Sequence, residues 1–428
     1  MTYNQTDASG DAPGPSSAVP SCPIVNGQPF DPMSAAQAEN PHPWLSAARE
    51  LSPVFALTNE TDYVIDYELQ LQVLGDADTF SSAQLVNFEA LPETFSAIFP
   101  DGPPMVLLDE PAHLRLRRLA QAAFSPKLVE AREDSIRALA RDLLAKVVQE
   151  KTCDLVTTLA SRLPVLAIVD LVGAPLDRAA EFGQWAHDRA VLLSVLQGAP
   201  PPGPAETAEV IERATSFTRY LTAFVEERRA APRDDLTSHL ILAESEPGEP
   251  ALSTTEVVGV IASILSAGTS TTANFIPTAV YHLLRNGIWA SMEENPSRIG
   301  LAVEESLRLW SSVRGVSRSA TRDVELGGCP IAGGAHVYLH LGAANRDPAV
   351  FPDPDVFDIG RENAHRHVAF GRYKHLCLGA PLARLETRIA IELMVDMLPG
   401  LRLAGGWSAE WIPSTFTPGL RDLVLAWD

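Results

Sequence analysis

The chain has 428 residues, with 33 Lys+Arg against 54 Asp+Glu, a formal charge of −21 and a hydrophobic content of 46%. Length alone allows two or three domains, and the acidity argues against a nucleic-acid binder. Four cysteines, Cys22, Cys153, Cys329 and Cys377, are scattered without metal-type spacing, which suits a reducing cytoplasm. No secretory signal is legible, nor an apolar run of about 18 residues, so no membrane span is expected.

Residues 1 to about 24 are rich in Ser, Pro, Gly, Ala and Asp and read as a disordered tail, with the folded part starting near Pro29-Phe30-Asp31. Pro41 to Val54 predicts a first helix ended by Pro53. Tyr63-Val64-Ile65 predicts a strand, followed by a short helix toward Leu74. Residues 83 to 105 are irregular and apolar, a loop with buried aromatics at Phe88, Phe95 and Phe99. Asp109 to Pro126 reads as a helix on which His113 and Arg117 share a face while Arg115 and Arg118 lie on others. Taken alone, such a basic helix is a solvated surface. Residues 128 to 230 read as amphipathic helices divided by the stiff, Pro-rich stretch Gly198 to Pro204. There Trp185, Val191 and Leu192 either face a pocket or simply pack.

From about Thr254 to Asn286 the chain is apolar and nearly charge-free, which at 1.5 Å per residue makes a helix of about 50 Å. A helix apolar all round belongs in a large core. It contains Ala267-Gly268-Thr269-Ser270-Thr271-Thr272, and Pro277 further on should bend it. Glu305 and Arg308 stand at helical spacing, a pair too common to mean anything alone. Residues 319 to 341 alternate enough for short strands with a turn at Gly327-Gly328, and Thr415 to Pro418 reads as a hairpin tip.

The stretch His367 to Glu386, HVAFGRYKHLCLGAPLARLE, organises the rest. Cys377 lies in a short basic loop ahead of a helix with Pro381 in its first turn, and Leu382, Leu385, Ile389 and Leu393 give that helix a buried face. Unpaired N–H groups at the helix start should lower the cysteine pKa and hold it as thiolate. A lone cysteine is ordinarily a small buried hydrophobe. The pattern FGxxxHxCLG followed by APLARLE, however, resembles the haem-binding loop of the cytochrome P450 family, in its soluble bacterial branch. The family has a second glycine where this chain has Tyr373.

The resemblance implies a mainly α fold with small β-sheets, the cytochrome P450 fold, with haem b between the long distal helix and the cysteine-loop helix. Residues 25–428 would form one haem domain. Cys377 would be the iron ligand, with Phe370 near its sulfur and Gly371, Gly379, Ala267 and Gly268 against the haem. His113, Arg117, Arg318 and His375 would hold the propionates, which need charge-assisted donors. Gly268 would leave room for O2, and Thr271 with Ser270 would handle protons. The family has an acid where Ser270 stands, and a hydroxyl can only relay a proton. Glu305 and Arg308 would be the buried ion pair that braces the core. A further arginine of many relatives is replaced by Val356, a role open to Arg361. Phe88, Phe95, Phe99, Val313 and Phe416 would contact substrate. Arg314 either attracts a substrate carboxylate or points outward into solvent.

The expected function is a cytoplasmic, monomeric haem-thiolate monooxygenase. It would insert one atom of O2 into a small-to-medium hydrophobic, possibly aromatic, organic substrate by hydroxylation or O-demethylation. The chain has no flavin, nicotinamide or iron–sulfur signature, so electrons should come from an acidic ferredoxin and its reductase. Arg115, Arg118, Arg372 and Lys374 would form its docking patch. The alternative is a peroxide-using or non-oxygenating haem protein of the same fold.

Overall fold

The computed structural model describes residues 20, 22–58, 61–86, 99, 102–196, 203–243 and 250–428. Phe88, Phe95, residues 198–202 of the Pro-rich stretch, and residues 1–19 and 21 of the expected tail lie outside them. Ordered chain begins earlier than the expected boundary. The Pro20 carbonyl accepts a hydrogen bond from Ala56 N (2.8 Å), and Ile24–Val25 pairs antiparallel with Gln28–Pro29.

The N-terminal region turns from helix to sheet where the sequence demands it. Helix α1, His42–Leu51, buries Leu45 and Ala48 and stops short of the predicted Val54. Pro53 biases Ser52 to extended backbone (φ −162°, ψ 146°), and strand β1, Val54–Thr58, follows at once. Strand β2, Thr61–Val64, pairs antiparallel with it. Strands β3 (Phe80–Ser81), β4 (Val316–Ala320) and β5 (His336–Leu339) complete a sheet of order β1-β2-β5-β4-β3. Only the β2–β5 contact is parallel. The turn predicted at Gly327-Gly328 joins Val324–Leu326 to Cys329–Ile331, with both glycines at positive φ.

The helical body holds α2 (Ala112–Ala123), α3 (Glu133–Ala145), α4 (Leu163–Val172), α5 (Ala179–Leu196) and α6 (Pro204–Ala230). Then come α7 (Thr254–Arg285), α8 (Ile299–Leu309) and α9 (Ala380–Met397). Helix α7 opens with a capping box: Ser253 and Glu256 satisfy each other's backbone N–H. It is long and apolar enough to cross a membrane, which corrects the expectation of no such run. It is instead enclosed by α4, α5, α6 and α9, in one continuous core with α3. Pro277 lies buried within it. Aromatic packing joins the α5–α6 pair: Trp185 stacks on Phe217 (4.3 Å, 30°), and Leu192 is buried beside Val210 and Ala214. Both side chains therefore serve helix packing.

Candidate functional site: a cysteine loop beside a basic cluster

The loop before α9 is fixed by its own backbone. Gly371 N donates to Val368 O (2.8 Å), Leu376 N to Tyr373 O (3.1 Å) and Cys377 N to Phe370 O (2.9 Å). Two residues take positive φ, Gly371 at 70° and Tyr373 at 55°. The loop therefore requires the left-handed conformation at the position where Tyr373 replaces glycine, and the tyrosine adopts it. Cys377 is open to a cavity of about 330 Å³, walled by Arg117, Phe370, Gly371, Leu376, Pro381 and Arg384 among others.

The expectation of a lowered thiol pKa is corrected. Burial pushes the Cys377 thiol up, and this outweighs the amides of Gly379 and Ala380 and the charges of Arg117 and Arg384. The helix start still aims N–H groups at the sulfur, but in the protein alone desolvation wins. A bound iron cation would reverse that balance, because a coordinating thiol gives up its proton.

Beside the loop four basic side chains converge from three separate regions. His113 and Arg117 come from α2, Arg318 from β4 and His375 from the loop itself. The rings of His113 and His375 stack at 4.0 Å and 25°. Burial, then the neighbouring charges of Arg318, His113, Arg117 and Lys374, takes His375 down to about 3. Burial and Arg117 lower His113, and burial lowers Arg117 as well. Burial holds Arg318 at about 10 against the pull of Asp109. Groups that discharge one another in this way fit a dianionic ligand, and the two propionates of haem meet that need. A soft sulfur donor beside them suits its iron.

Helix α7 presents the other face. Ala267 is exposed there. The Thr271 hydroxyl donates to Ala267 O (2.7 Å), and Ser312 Oγ donates to Thr271 O (2.8 Å). Among the described residues the Ser270 hydroxyl has no hydrogen-bond partner. A Cβ at Gly268 would meet Ile168 Cδ1 of α4 at 2.6 Å, so its bareness admits a neighbouring helix. Gly379 has an ordinary negative φ, and a Cβ there would lie 3.9 Å from Cys377 Sγ.

Behind the loop, Glu305 and Arg308 form a fully buried pair (2.7 Å). Arg308 also donates to Asn345 O (2.9 Å), while Asn345 Oδ1 accepts from Val368 N (2.7 Å), so the pair reaches the cysteine loop through Asn345. Three further side chains were given no role by the sequence reading. Arg384 lies over the Phe370 ring at 4.6 Å and pairs twice with Glu304 (2.8 Å each). His367 Nε2 lies 3.0 Å from Glu304. Burial pushes the Glu304 carboxyl up, but Arg384 and His367 together hold it at about 2.

The remaining expected contacts have the following surroundings. Phe99 is buried under the α5–α6 pair with Arg189 over its ring at 4.4 Å. Phe416 is 48% exposed at a hairpin tip between Trp411–Ile412 and Gly419–Leu420. Val313 packs toward the main sheet. Arg314 is not solvated outward: its guanidinium donates to Ala38 O inside a small cavity. Arg115 is bound to Glu256 (2.5 Å) and to the Pro250 carbonyl (3.0 Å) at the start of α7, so its charge is spent there. Lys374 pairs with Glu110 (2.8 Å).

A cysteine loop feeding a helix that packs on a long apolar helix, and flanked by an anion cradle, fits a haem-thiolate protein. The family model for cytochrome P450 matches residues 48–287 and 300–397, and the chain belongs to that family, in its bacterial branch. It is 36% identical to cytochrome P450-SU2 of Streptomyces griseolus over 96% of both chains. It is also 36% identical to a steroid C26-monooxygenase of Mycobacterium tuberculosis, over 82% of this chain and 94% of that one. Among solved structures, CYP109E1 from Bacillus megaterium in complex with testosterone superposes with a TM-score of 0.79 at 31% identity, covering 91% of this chain and 99% of that one. The protein is accordingly a P450 monooxygenase, an oxidoreductase that binds haem b, O2 and a small-molecule substrate and draws electrons from redox partners.

Proposed function

We propose that the protein oxygenates a hydrophobic organic substrate, by hydroxylation or O-demethylation, with electrons from an external ferredoxin and reductase. The observation that carries this reading is the convergence of His113, Arg117, Arg318 and His375 beside the Cys377 loop. When bound, thiolate-ligated haem supplies O2 activation and insertion of one oxygen atom. The chain's own residues hold, shield and supply protons. Cys377 is the iron ligand, and the four basic groups hold the propionates. Phe370, pinned under Arg384, keeps water from the sulfur's side. Thr271 spends its hydroxyl proton on Ala267 O, which leaves its oxygen lone pairs free to accept a hydrogen bond from a water at the α7 face. Ser270, with a free hydroxyl, relays protons from water in place of an acid.

Phe416 at its hairpin tip is the aromatic best placed to meet substrate. The names of two relatives point to steroids, so rigid, mainly apolar molecules head the screen. Arg118, Arg372 and Lys374 support docking of an acidic ferredoxin on the face of the cysteine loop. Four free cysteines support a reducing cytoplasm.

The test is reconstitution with a bacterial ferredoxin and reductase, after a spin-state screen that includes testosterone. A ferredoxin-dependent product supports the reading, either heavier by one oxygen atom (hydroxylation) or lighter by CH2 with release of formaldehyde (O-demethylation). The free Ser270 hydroxyl favours one second reading, peroxide-driven turnover; product formed with peroxide and none with ferredoxin would establish it instead.

A further inference from the structure

A partly open, polar cavity of about 20 Å³ lies away from the cysteine loop. It is walled by Glu39 and His42 near the N-terminus, Thr278 and His282 on α7, Arg314, and Trp411 of the C-terminal hairpin. Thr278 and His282 stand seven and eleven residues beyond Thr271 on α7, roughly 10 and 16 Å along its axis. The cavity therefore lies further along α7, with Ser312, whose hydroxyl donates to the Thr271 carbonyl (2.8 Å), in the wall between them. Its volume suits one particle of about the size of a water molecule.

Its walls are rich in donors and positive charge. The Arg314 guanidinium makes one hydrogen bond, to Ala38 O, and no ion pair among the described residues. Burial lowers it to about 10 against the pull of Tyr338. Trp411 has a buried indole N–H with no acceptor. The rings of His42 and His282 make no hydrogen bonds among the described residues. Burial, then Arg346, keeps both uncharged. Among the acids, Glu39 lines the cavity, but its carboxylate is taken by Arg285 and the Tyr281 hydroxyl. Arg346 is already matched by Asp355 (2.7 Å). The uncompensated charge in this region is therefore that of Arg314. A water molecule would satisfy the donors and leave a half-buried cation unpaired; a small anion does both.

We propose that this cavity is a binding site for a monovalent anion of chloride size, held by Arg314 with the Trp411 indole N–H and the imidazoles of His42 and His282. Such an anion would tie the N-terminal segment, α7 and the C-terminal hairpin together. That hairpin is already joined to the Arg314 segment and to β5, since Arg314 N donates to Phe416 O (2.8 Å) and the Tyr338 hydroxyl to Thr415 O (2.5 Å).

The experiment uses the haem-loaded full chain prepared in sodium gluconate. Chloride or bromide replaces gluconate at constant ionic strength while the melting midpoint is followed. The expected result is a saturable rise of a few degrees with either halide. In Arg314→Met that rise should vanish, and in Trp411→Phe its midpoint should move to several-fold higher halide. Crystals of the unaltered protein soaked in bromide should show an anomalous peak in the cavity, which decides the matter even where a variant does not fold. A water alone in the cavity, or a midpoint indifferent to which anion is present, would overturn the proposal.

Discussion

Arg361 Nε donates to Glu305 Oε1 across 3.0 Å, so a third residue joins the buried Glu305–Arg308 pair although Val356 cannot. The remaining nitrogens of Arg361 donate to the Pro352, Asp353 and Val356 carbonyls. Arg361→Met should cost about 1–3 kcal/mol, the usual penalty for buried acceptors left without donors. Arg308→Met should cost more, about 3–5 kcal/mol, because it also strands the Glu305 carboxylate. Urea unfolding of the two variants checks the order; equal losses would mean that Arg361 is an equal partner.

Tyr373 sits at φ 55°, with its ring close to Gly75, where a Cβ would meet it at 3.5 Å. Glycine pays no side-chain penalty in that region, whereas β-branched residues pay most. Tyr373→Gly should leave stability within about 1 kcal/mol of the unaltered protein, since relief of strain offsets the lost ring contact. Tyr373→Val should lose roughly 1–2 kcal/mol. Thermal unfolding of both variants decides it, and a valine variant as stable as the parent would remove the strain argument.

Much of this was legible before any coordinates. Cys377, the apolar run of α7, and the His113/Arg117 and Glu305/Arg308 spacings all stand in the chain as periodicities or a motif. What stayed hidden depends on contacts between distant segments. Nothing at residue 345 announces that Asn345 links Arg308 to Val368. Arg384 stands in the APLARLE motif, but its pairing with Glu304 gave no signal because it spans two helices far apart in sequence. The inward turn of Arg314 was hidden for the same reason: it is set by Ala38, which no local pattern names, and the closeness of Ile168 to Gly268 is equally non-local. The Cys377 thiol was misjudged because a helix start is local, whereas burial is a property of the whole fold.

Glu386 on α9 is fully buried, and burial raises its carboxyl to about 8. One of its oxygens has no partner. The folded state therefore holds a proton that the unfolded chain releases near pH 4.5. Linkage then makes stability fall as pH rises from about 4.5 to about 8, by up to about 1.4 kcal/mol per unit, and level off above. Glu386→Gln should flatten that slope and be the more stable protein at pH 8 and above. Denaturant midpoints across the range test it; parallel curves for the two proteins would show that Glu386 does not titrate there.

Ser270 stands free on α7 one residue before Thr271. Placing a carboxyl there supplies a proton source that a hydroxyl lacks. Ser270→Asp should raise the product formed per electron pair consumed several-fold, with little change in substrate affinity. Coupling that does not move would put residue 270 outside the proton route.

The central claim is that Cys377 binds haem iron as thiolate from a loop carrying Tyr373 at positive φ. The absorption spectrum of the reduced protein under carbon monoxide tests it most directly. A strongly red-shifted Soret band, lost in Cys377→Ser, is the predicted result. A band where histidine- or thiol-ligated haem absorbs, or one that survives in the serine variant, would contradict it.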